Sequence, residues 1–136
     1  MPTHRMHLRG PWQVVAPGSS GDNWTTKNLP QEWRGLFGAT AGTATFLRAF
    51  HCPTNLDPEE TVAIVLTEVG GSGRAYLNEE LLGEFPAGLA HPPQFDVTQK
   101  LLRRNHLRIE VEFDPDAQPG LGGLYGLVAI EIASPP

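Results

Sequence analysis

Glycine and proline recur so closely along this chain that little room is left for a long helix. The 136 residues include 15 glycines and 13 prolines. Both residue types interrupt regular structure and supply turns, so their frequency disfavours a helical bundle and favours many short strands. Apolar residues make up 40% of the sequence, enough for one globular core, which argues against a disordered chain. We therefore predict a single domain over residues 1–136, flexible at residues 1–5 and 134–136.

Eight segments have the composition of short strands. The clearest is 107–113, where Leu107, Ile109, Val111 and Phe113 alternate with charged residues. The others are 6–15 (interrupted by Gly10 and Pro11), 44–50, 62–69, 74–78, 81–85, 94–98 and 126–132. Helical turns are predicted at 31–37 and, capped by Thr98, at 99–104. The rest of 16–42 is predicted to be irregular, and Pro135 and Pro136 to begin a linker.

The turn signals between these segments indicate how they pair. Residues 74–85 predict a hairpin that turns at Asn78, Glu79 and Glu80. Eight short strands favour an all-β fold, an antiparallel β-sandwich with jelly-roll topology. No strand alternates with a long helix, which disfavours a parallel α/β sheet.

The charge balance argues against several classes of partner. Ten Lys and Arg stand against 15 Asp and Glu, a formal net charge of −5. The basic cluster Lys100, Arg103 and Arg104 is too short to attract nucleic acid against that background. No apolar run is long enough to span a membrane, so we expect neither a nucleic acid nor a membrane as partner. The first ten residues lack the apolar core of a secretory signal, and the single cysteine, Cys52, excludes an internal disulfide, which slightly favours the cytoplasm.

Four segments, in order, resemble the N-terminal sugar-binding domain of glycoside hydrolase family 2, the β-galactosidase and β-glucuronidase type. FLRAF at 46–50, with Pro53 after it, is similar to the family's aromatic-Arg-Arg-x-Phe strand, and YLNEELLGE at 76–84 to its aromatic-x-Asn-Gly hairpin. The third segment is FDVT at 95–98, followed by Leu101, Asn105 and Leu107, and it resembles the family's own FDVT segment. The fourth is GGLYGLVAIEI at 122–132, which is similar to the family's GGIYRDV closing strand. The resemblance implies a galactose-binding-like jelly roll without the family's catalytic barrel.

The chain departs from the family pattern at three places. Leu47 replaces the first arginine of the strand motif, and Gly126 and Leu127 replace the Arg-Asp of the closing motif. Glu79 stands where the hairpin usually has glycine, so a positive φ at that position would be strained.

A catalytic constellation is not apparent. Glu110 and Glu112 sit two residues apart on one strand face, roughly 6.6–7 Å from each other. Glycosidase carboxylates use a similar spacing but flank the substrate from opposite sides. We therefore interpret this pair as a solvated sheet face and expect no enzyme activity.

Sugar binding needs an exposed aromatic ring and polar side chains beside it. Trp24, Trp33, Arg34 and Tyr125 are the candidate ligand-binding residues. The alternative is structural: Trp33 and Trp12 would plug the edges of the sandwich, and Trp24 would pack within its loop.

Arg48 shares strand parity with Phe46 and Phe50, so we expect it to point toward the interior. Asp96 lies between Phe95 and Val97, and a buried pair of Arg48 with Asp96 is the hypothesis, because either charge alone would be costly to bury.

No cofactor is expected other than a structural calcium ion. Asp114 and Asp116 are its candidate ligands, because calcium prefers carboxylate oxygens. The alternative for these residues is a plain Pro-Asp turn.

Two functions fit these observations. The first is a non-catalytic carbohydrate-binding or carbohydrate-associated module that resembles the family 2 domain, with a carbohydrate partner. The second is a structural or protein-interaction sandwich that has no sugar ligand and binds a protein.

Overall fold

Two antiparallel β-sheets pack face to face in the computed structural model, which describes residues 3–134. Met1, Pro2 and the predicted linker at Pro135 and Pro136 lie outside the described residues. The elements are β1 (Thr3–His7), β2 (Pro11–Val15), β3 (Trp24–Asn28), α1 (Trp33–Phe37), β4 (Gly42–His51), β5 (Thr61–Leu66), β6 (Ser72–Leu77), β7 (Glu80–Phe85), β8 (Gln94–Asp96), β9 (Arg104–Phe113) and β10 (Val128–Ala133). Within the described range no helix is long and apolar enough to cross a membrane.

The chain crosses repeatedly between a four-stranded and a six-stranded sheet. The smaller sheet has the order β1-β10-β5-β8, and the larger has the order β3-β2-β4-β9-β6-β7. Every pairing is antiparallel. The predicted all-β sandwich is therefore confirmed, with ten strands in the described residues rather than eight.

Alternation along β9 builds the centre of the core. Leu107, Ile109 and Val111 are fully buried between the sheets, and Phe113 is 2% exposed. The residues between them face outward from the larger sheet, as a two-residue period requires. Asn105 is the single buried polar residue among those described, and it begins the same inward row.

The predicted strand over 6–15 is two strands in two different sheets. Gly10 has φ +86°, a backbone conformation that glycine adopts without strain, and the chain turns there. β1 pairs with β10, whereas β2 pairs with β3 and β4. Residues 3–5 belong to β1, and the expected flexibility at residues 1–5 stays a prediction.

Two other predictions for secondary structure fail for local reasons. Residues 24–28, predicted to be irregular, form β3, an edge strand whose five residues are all exposed and so show no apolar alternation. The second helical turn, at 99–104, does not form. The Thr98 hydroxyl instead accepts a hydrogen bond from the Val62 N–H at 2.9 Å, and Arg104 already begins β9.

The buried Arg48–Asp96 pair is also wrong. Arg48 lies in β4 of the larger sheet and donates to the Arg9 carbonyl. Asp96 lies in β8 of the smaller sheet, is exposed, and accepts hydrogen bonds from the N–H and hydroxyl of Thr98. Each charge therefore has its own local partners.

Candidate ligand-binding surface

One line of side chains crosses all six strands on the outer face of the larger sheet. The register pairs Trp24 with Val15, Val15 with Thr45, and Thr45 with Glu110, and continues to Arg74 and Glu84. Directly opposed residues in antiparallel strands project from the same face. At about 4.8 Å between strands, this cross-strand row spans about 24 Å. Its members are Trp24, Val15, Thr45, Glu110, Arg74 and Glu84.

The two ends of the cross-strand row differ in chemistry. Trp24, on the edge strand β3, keeps 47% of its surface exposed, whereas its neighbour Val15 is 5% exposed. At the other end Arg74 forms an ion pair with Glu84 at 3.0 Å between Nε and Oε1. A side-chain hydrogen bond with Tyr76, followed by the Glu84 carboxylate, raises the pKa of Arg74 above its ordinary value. The row thus runs from an exposed aromatic ring to a charged pair.

A cleft of about 720 Å³, which we call the acidic cleft, opens beside the charged end of the row. Three carboxylates and one guanidinium line it, from Glu84, Glu110, Glu112 and Arg74. Gly73 lies in its floor, where an added Cβ would fall 2.0 Å from the Glu110 carbonyl oxygen and 2.7 Å from the Phe85 ring. The absence of a side chain at this position therefore allows β6 and β9 to pair so closely.

A stacked pair supports the acidic cleft from the next row. The Arg108 guanidinium lies 4.0 Å above the centroid of the Tyr76 ring. The same guanidinium reaches Glu110 at 3.4 Å. Tyr76 is therefore covered on one face, and Arg108 helps to position the Glu110 carboxylate at the cleft wall.

The structure separates the four predicted ligand-binding residues. Trp33 is 0% exposed, donates from Nε1 to the Thr40 carbonyl at 2.7 Å, and packs on Phe113 with ring centroids 5.5 Å apart. Trp33 is therefore buried in the core and offers no free ring face. Trp24 is exposed on the sheet face and does not pack within a loop.

Arg34 is held by its own surroundings. Its Nη2 donates to the Pro115 carbonyl at 2.9 Å and lies 3.4 Å from a carboxylate oxygen of Asp116. Tyr125 lines a separate cleft of about 250 Å³, together with residues 66–69, 86 and 88–93. Pro86 lines both this cleft and the acidic cleft, but no member of the cross-strand row lines the smaller one.

The two aspartates proposed as calcium ligands have partners within the protein. Asp114 accepts a hydrogen bond from the Asp116 N–H at 3.0 Å, and Asp116 faces Arg34. No group of three or more His, Cys, Asp or Glu side chains suited to a metal occurs among residues 3–134. Calcium commonly takes six to eight oxygen ligands, of which these two residues supply few. The contacts match the Asp turn, and calcium binding stays a prediction.

Several solved structures contain a domain with a fold similar to that of this chain. The chain superimposes on a β-glucuronidase from Bacteroides uniformis with a TM-score of 0.78 and 21% identity, covering 98% of this chain and 18% of that one. The chain has the fold of a β-glucuronidase domain. A β-glycosidase from Bacteroides vulgatus gives a TM-score of 0.76 at 18% identity, covering 97% of this chain and 20% of that one. The sequence matches no protein-family model and no curated protein.

A third match shows the same partial coverage. A β-glucuronidase from Bifidobacterium dentium, solved with coumarin-3-O-glucuronide, has a TM-score of 0.75 and 16% identity, covering 96% of this chain and 30% of that one. The predicted resemblance to glycoside hydrolase family 2 is confirmed at the level of the fold. The 136 residues span less than a third of each of these enzymes and do not include the catalytic barrel.

Sequence reasoning missed most of the cross-strand row. It identified Trp24 as a candidate but not Thr45, Arg74 or Glu84, which are far apart in the sequence. Their alignment depends on the register of five strand pairings. The outward residues of a strand can be read from alternation, but which of them oppose each other cannot.

Proposed function

We propose that this chain is a non-catalytic carbohydrate-binding module that holds its ligand along the cross-strand row. The observation that carries the proposal is the alignment of an exposed tryptophan with polar side chains on one sheet face. The apolar face of a pyranose ring would stack on Trp24. Thr45, Glu110 and Arg74 would hydrogen-bond the hydroxyl groups.

The arrangement of carboxylates supports binding rather than hydrolysis. Glu110 and Glu112 project from the same face of β9, side by side. Glycosidases place their two carboxylates on either side of the scissile bond. A sugar lying on this face would meet both carboxylates from one side, which gives acceptors for hydroxyl groups but no acid and nucleophile in opposition.

The charge of the acidic cleft favours an uncharged sugar at that end of the row. Three carboxylates against one guanidinium would repel an anionic ligand, whereas neutral hydroxyls can donate to each carboxylate. The expected ligand at the acidic cleft is therefore a neutral oligosaccharide.

Titration of the chain with a panel of neutral oligosaccharides, followed by amide NMR shifts, tests the proposal. We expect saturable shifts along the row, and for Trp24→Ala a Kd raised about tenfold, which corresponds to about 1.4 kcal/mol. Tyr125→Ala is the matched control in the separate cleft and should change the Kd less than about twofold. The same titration with calcium and with a chelator tests Asp114 and Asp116.

The proposal fails if no oligosaccharide gives saturable shifts, or if Trp24→Ala binds as the wild type does. A Kd raised by Tyr125→Ala and not by Trp24→Ala would move the site to the smaller cleft.

One observation favours the protein-interaction alternative. The predicted aromatic residues do not cluster: Trp33 is buried, Tyr125 lies in another cleft, and only Trp24 is strongly exposed. The edge strand β3, with five exposed residues, could also pair with an extended peptide. Amide shifts confined to β3 on addition of a protein partner, with none from sugars, would support this function instead.

A further inference from the structure

A second cleft on the outer face of the larger sheet has the opposite charge. It encloses about 350 Å³ where β2, β4 and β9 lie side by side, and we call it the basic cleft. Its lining includes no Asp or Glu. The polar side chains among its lining residues are Gln13, Arg48, Arg104 and His106.

Arg48 supplies a positive charge that is fixed in place. Its Nε and Nη2 donate to the Arg9 carbonyl at 3.2 and 2.8 Å, and its Nη1 donates to the Ala49 carbonyl. Within residues 3–134 no carboxylate forms an ion pair with it. Neutral carbonyls therefore hold the guanidinium without cancelling its charge.

Two further basic side chains come from one strand. Arg104 and His106 are both exposed and project outward from β9, opposite His51 and Ala49 of β4. Neither takes part in an ion pair among the described residues. The side-chain amide of Gln13, on β2, adds a neutral donor to the same cleft.

The unbalanced charge is notable because the chain as a whole is acidic. Carboxylates outnumber Lys and Arg by 15 to 10, yet they line the acidic cleft and are missing from the lining of the basic one. The outward residues of β9 change from Arg104, His106 and Arg108 at its start to Glu110 and Glu112 near its end. The face therefore has one positive and one negative end.

We propose that the basic cleft is a binding site for an oxyanion: a carboxylate, sulfate or phosphate group. Guanidinium groups form short, charge-assisted hydrogen bonds with such oxygens, and a planar fork can donate two at once. Arg48, already positioned, and Arg104 are the principal donors, with Gln13 and His106 beside them. This site is separate from the cross-strand row and does not depend on neutral-sugar binding there.

The first test is an amide NMR titration of the chain with sodium sulfate, against sodium chloride at the same ionic strength. We expect saturable shifts in residues 47–49 and 104–107 with sulfate only. Arg104→Gln should raise the sulfate Kd about tenfold, as loss of a charge-assisted bond does. The matched control is Arg103→Gln, which removes the same charge one residue away, outside the lining, and should change the Kd less than about twofold.

A second variant examines the fixed guanidinium. Arg48→Lys keeps the charge but loses the fork, and it should weaken sulfate binding several-fold while circular dichroism shows the fold intact. The proposal is overturned if chloride produces the same shifts, or if Arg103→Gln weakens sulfate binding as much as Arg104→Gln does. Either result would mean that anions gather nonspecifically at the basic end of the sheet face and that the cleft is not a specific binding site.

A third experiment distinguishes an oxyanion that is a substituent of an oligosaccharide from one that is a free ion. A neutral oligosaccharide, the same oligosaccharide carrying one carboxylate or sulfate, and free sulfate are compared on the wild type. Tighter binding of the substituted oligosaccharide than of free sulfate identifies a substituent of an acidic glycan, and equal binding identifies a free ion. Sulfate binding that persists without any neutral-sugar binding would refute the proposed function and leave this site standing.

Discussion

Asn78 and Asn105, 27 residues apart in the chain, are joined by a 3.1 Å hydrogen bond from the Asn78 side-chain amide to the Asn105 Oδ1. Asn105 also accepts from the Leu102 N–H and donates to the Leu102 carbonyl, each at 2.9 Å. The Oδ1 of Asn78 accepts from the His106 N–H at 2.8 Å. The two amides thus tie the β6–β7 turn to the segment that enters β9.

Removal of the Asn105 amide should be strongly destabilising. Asn105 is fully buried, and Asn105→Ala would leave the Leu102 N–H and carbonyl and the Asn78 amide without their partner. We expect a loss of about 3 kcal/mol in the free energy of unfolding, measured by urea denaturation. Asn23→Ala, in an exposed loop, should cost under about 0.5 kcal/mol. If the two variants lose the same free energy of unfolding, the hydrogen bonds of the buried Asn105 amide do not stabilise the fold.

Relief of backbone strain at the β6–β7 turn should stabilise the fold. Glu79 has φ +71°, as expected from its position in the hairpin motif, and Asn78 beside it has φ +51°. A side chain with a Cβ costs about 1–2 kcal/mol in this region, and glycine does not. Because glycine also makes the unfolded chain more flexible, Glu79→Gly should gain a net ~0.5–1 kcal/mol in thermal unfolding.

Glu59→Gly is the control for the turn, since Glu59 is exposed and has no positive φ among the described residues. It should be neutral or slightly destabilising. If Glu79→Gly loses as much stability as Glu59→Gly does, the positive φ of Glu79 does not strain the turn.

Truncation of the two tryptophans of residues 24–33 should destabilise the fold to very different extents. Trp33→Ala removes a fully buried ring in contact with Phe37 and Phe113, and we expect a loss of about 4 kcal/mol. Trp24→Ala removes a ring that is 47% exposed and should cost about 1 kcal/mol or less. Guanidinium denaturation measures both. A large loss in Trp24→Ala would mean that this ring supports the sheet edge instead of a ligand.

Asp96 should contribute stability that is lost in acid. Hydrogen bonds from the Thr98 hydroxyl and N–H lower the pKa of Asp96 below its usual value of about 3.9. The ionised form is therefore favoured in the folded state, and its contribution is present above about pH 4 and falls as the pH drops through the folded pKa. The stability difference between wild type and Asp96→Asn should shrink over this acid range, as measured by urea denaturation at several pH values.

Asp22→Asn serves as the reference, since the Asp22 side chain makes no hydrogen bond within residues 3–134 and should leave the stability at pH 7 unchanged. A difference between wild type and Asp96→Asn that stays constant from pH 7 to pH 2 would contradict the role of the Asp96 carboxylate.

The parts of the fold that the sequence predicts are those with a buried face. The alternation of 107–113 identified β9, because burial restricts the residue type. Asn78, a residue type that tolerates positive φ, helped to identify the hairpin, although Glu79 beside it does not fit that conformation. β3 was missed because an exposed edge strand places no constraint on hydrophobicity. The helix predicted after Thr98 does not form because the Thr98 hydroxyl bonds the Val62 N–H and the Asn105 side chain bonds both Leu102 backbone groups.

The residues of the candidate surfaces were harder to predict, because contacts between distant segments decide which side chains are exposed. Trp33 and Trp24 look alike in the sequence, and only the packing of α1 against Phe113 distinguishes the buried ring from the exposed one. Arg48 has the parity of inward-facing residues, yet its guanidinium bonds the Arg9 carbonyl and the residue lines the basic cleft. Both outcomes depend on contacts between segments that are distant in sequence.

Because each of the six strands contributes one residue to the cross-strand row, no excised hairpin or grafted loop can reproduce it. A slip of one residue in any pairing would send that strand's contribution to the opposite face. Ligand recognition along the row would therefore appear only after the slowest non-local strand pairing is complete. Binding would serve as a reporter of correct folding, and a destabilising substitution in the remote core would lower the fraction of competent molecules without altering the affinity of those that remain folded.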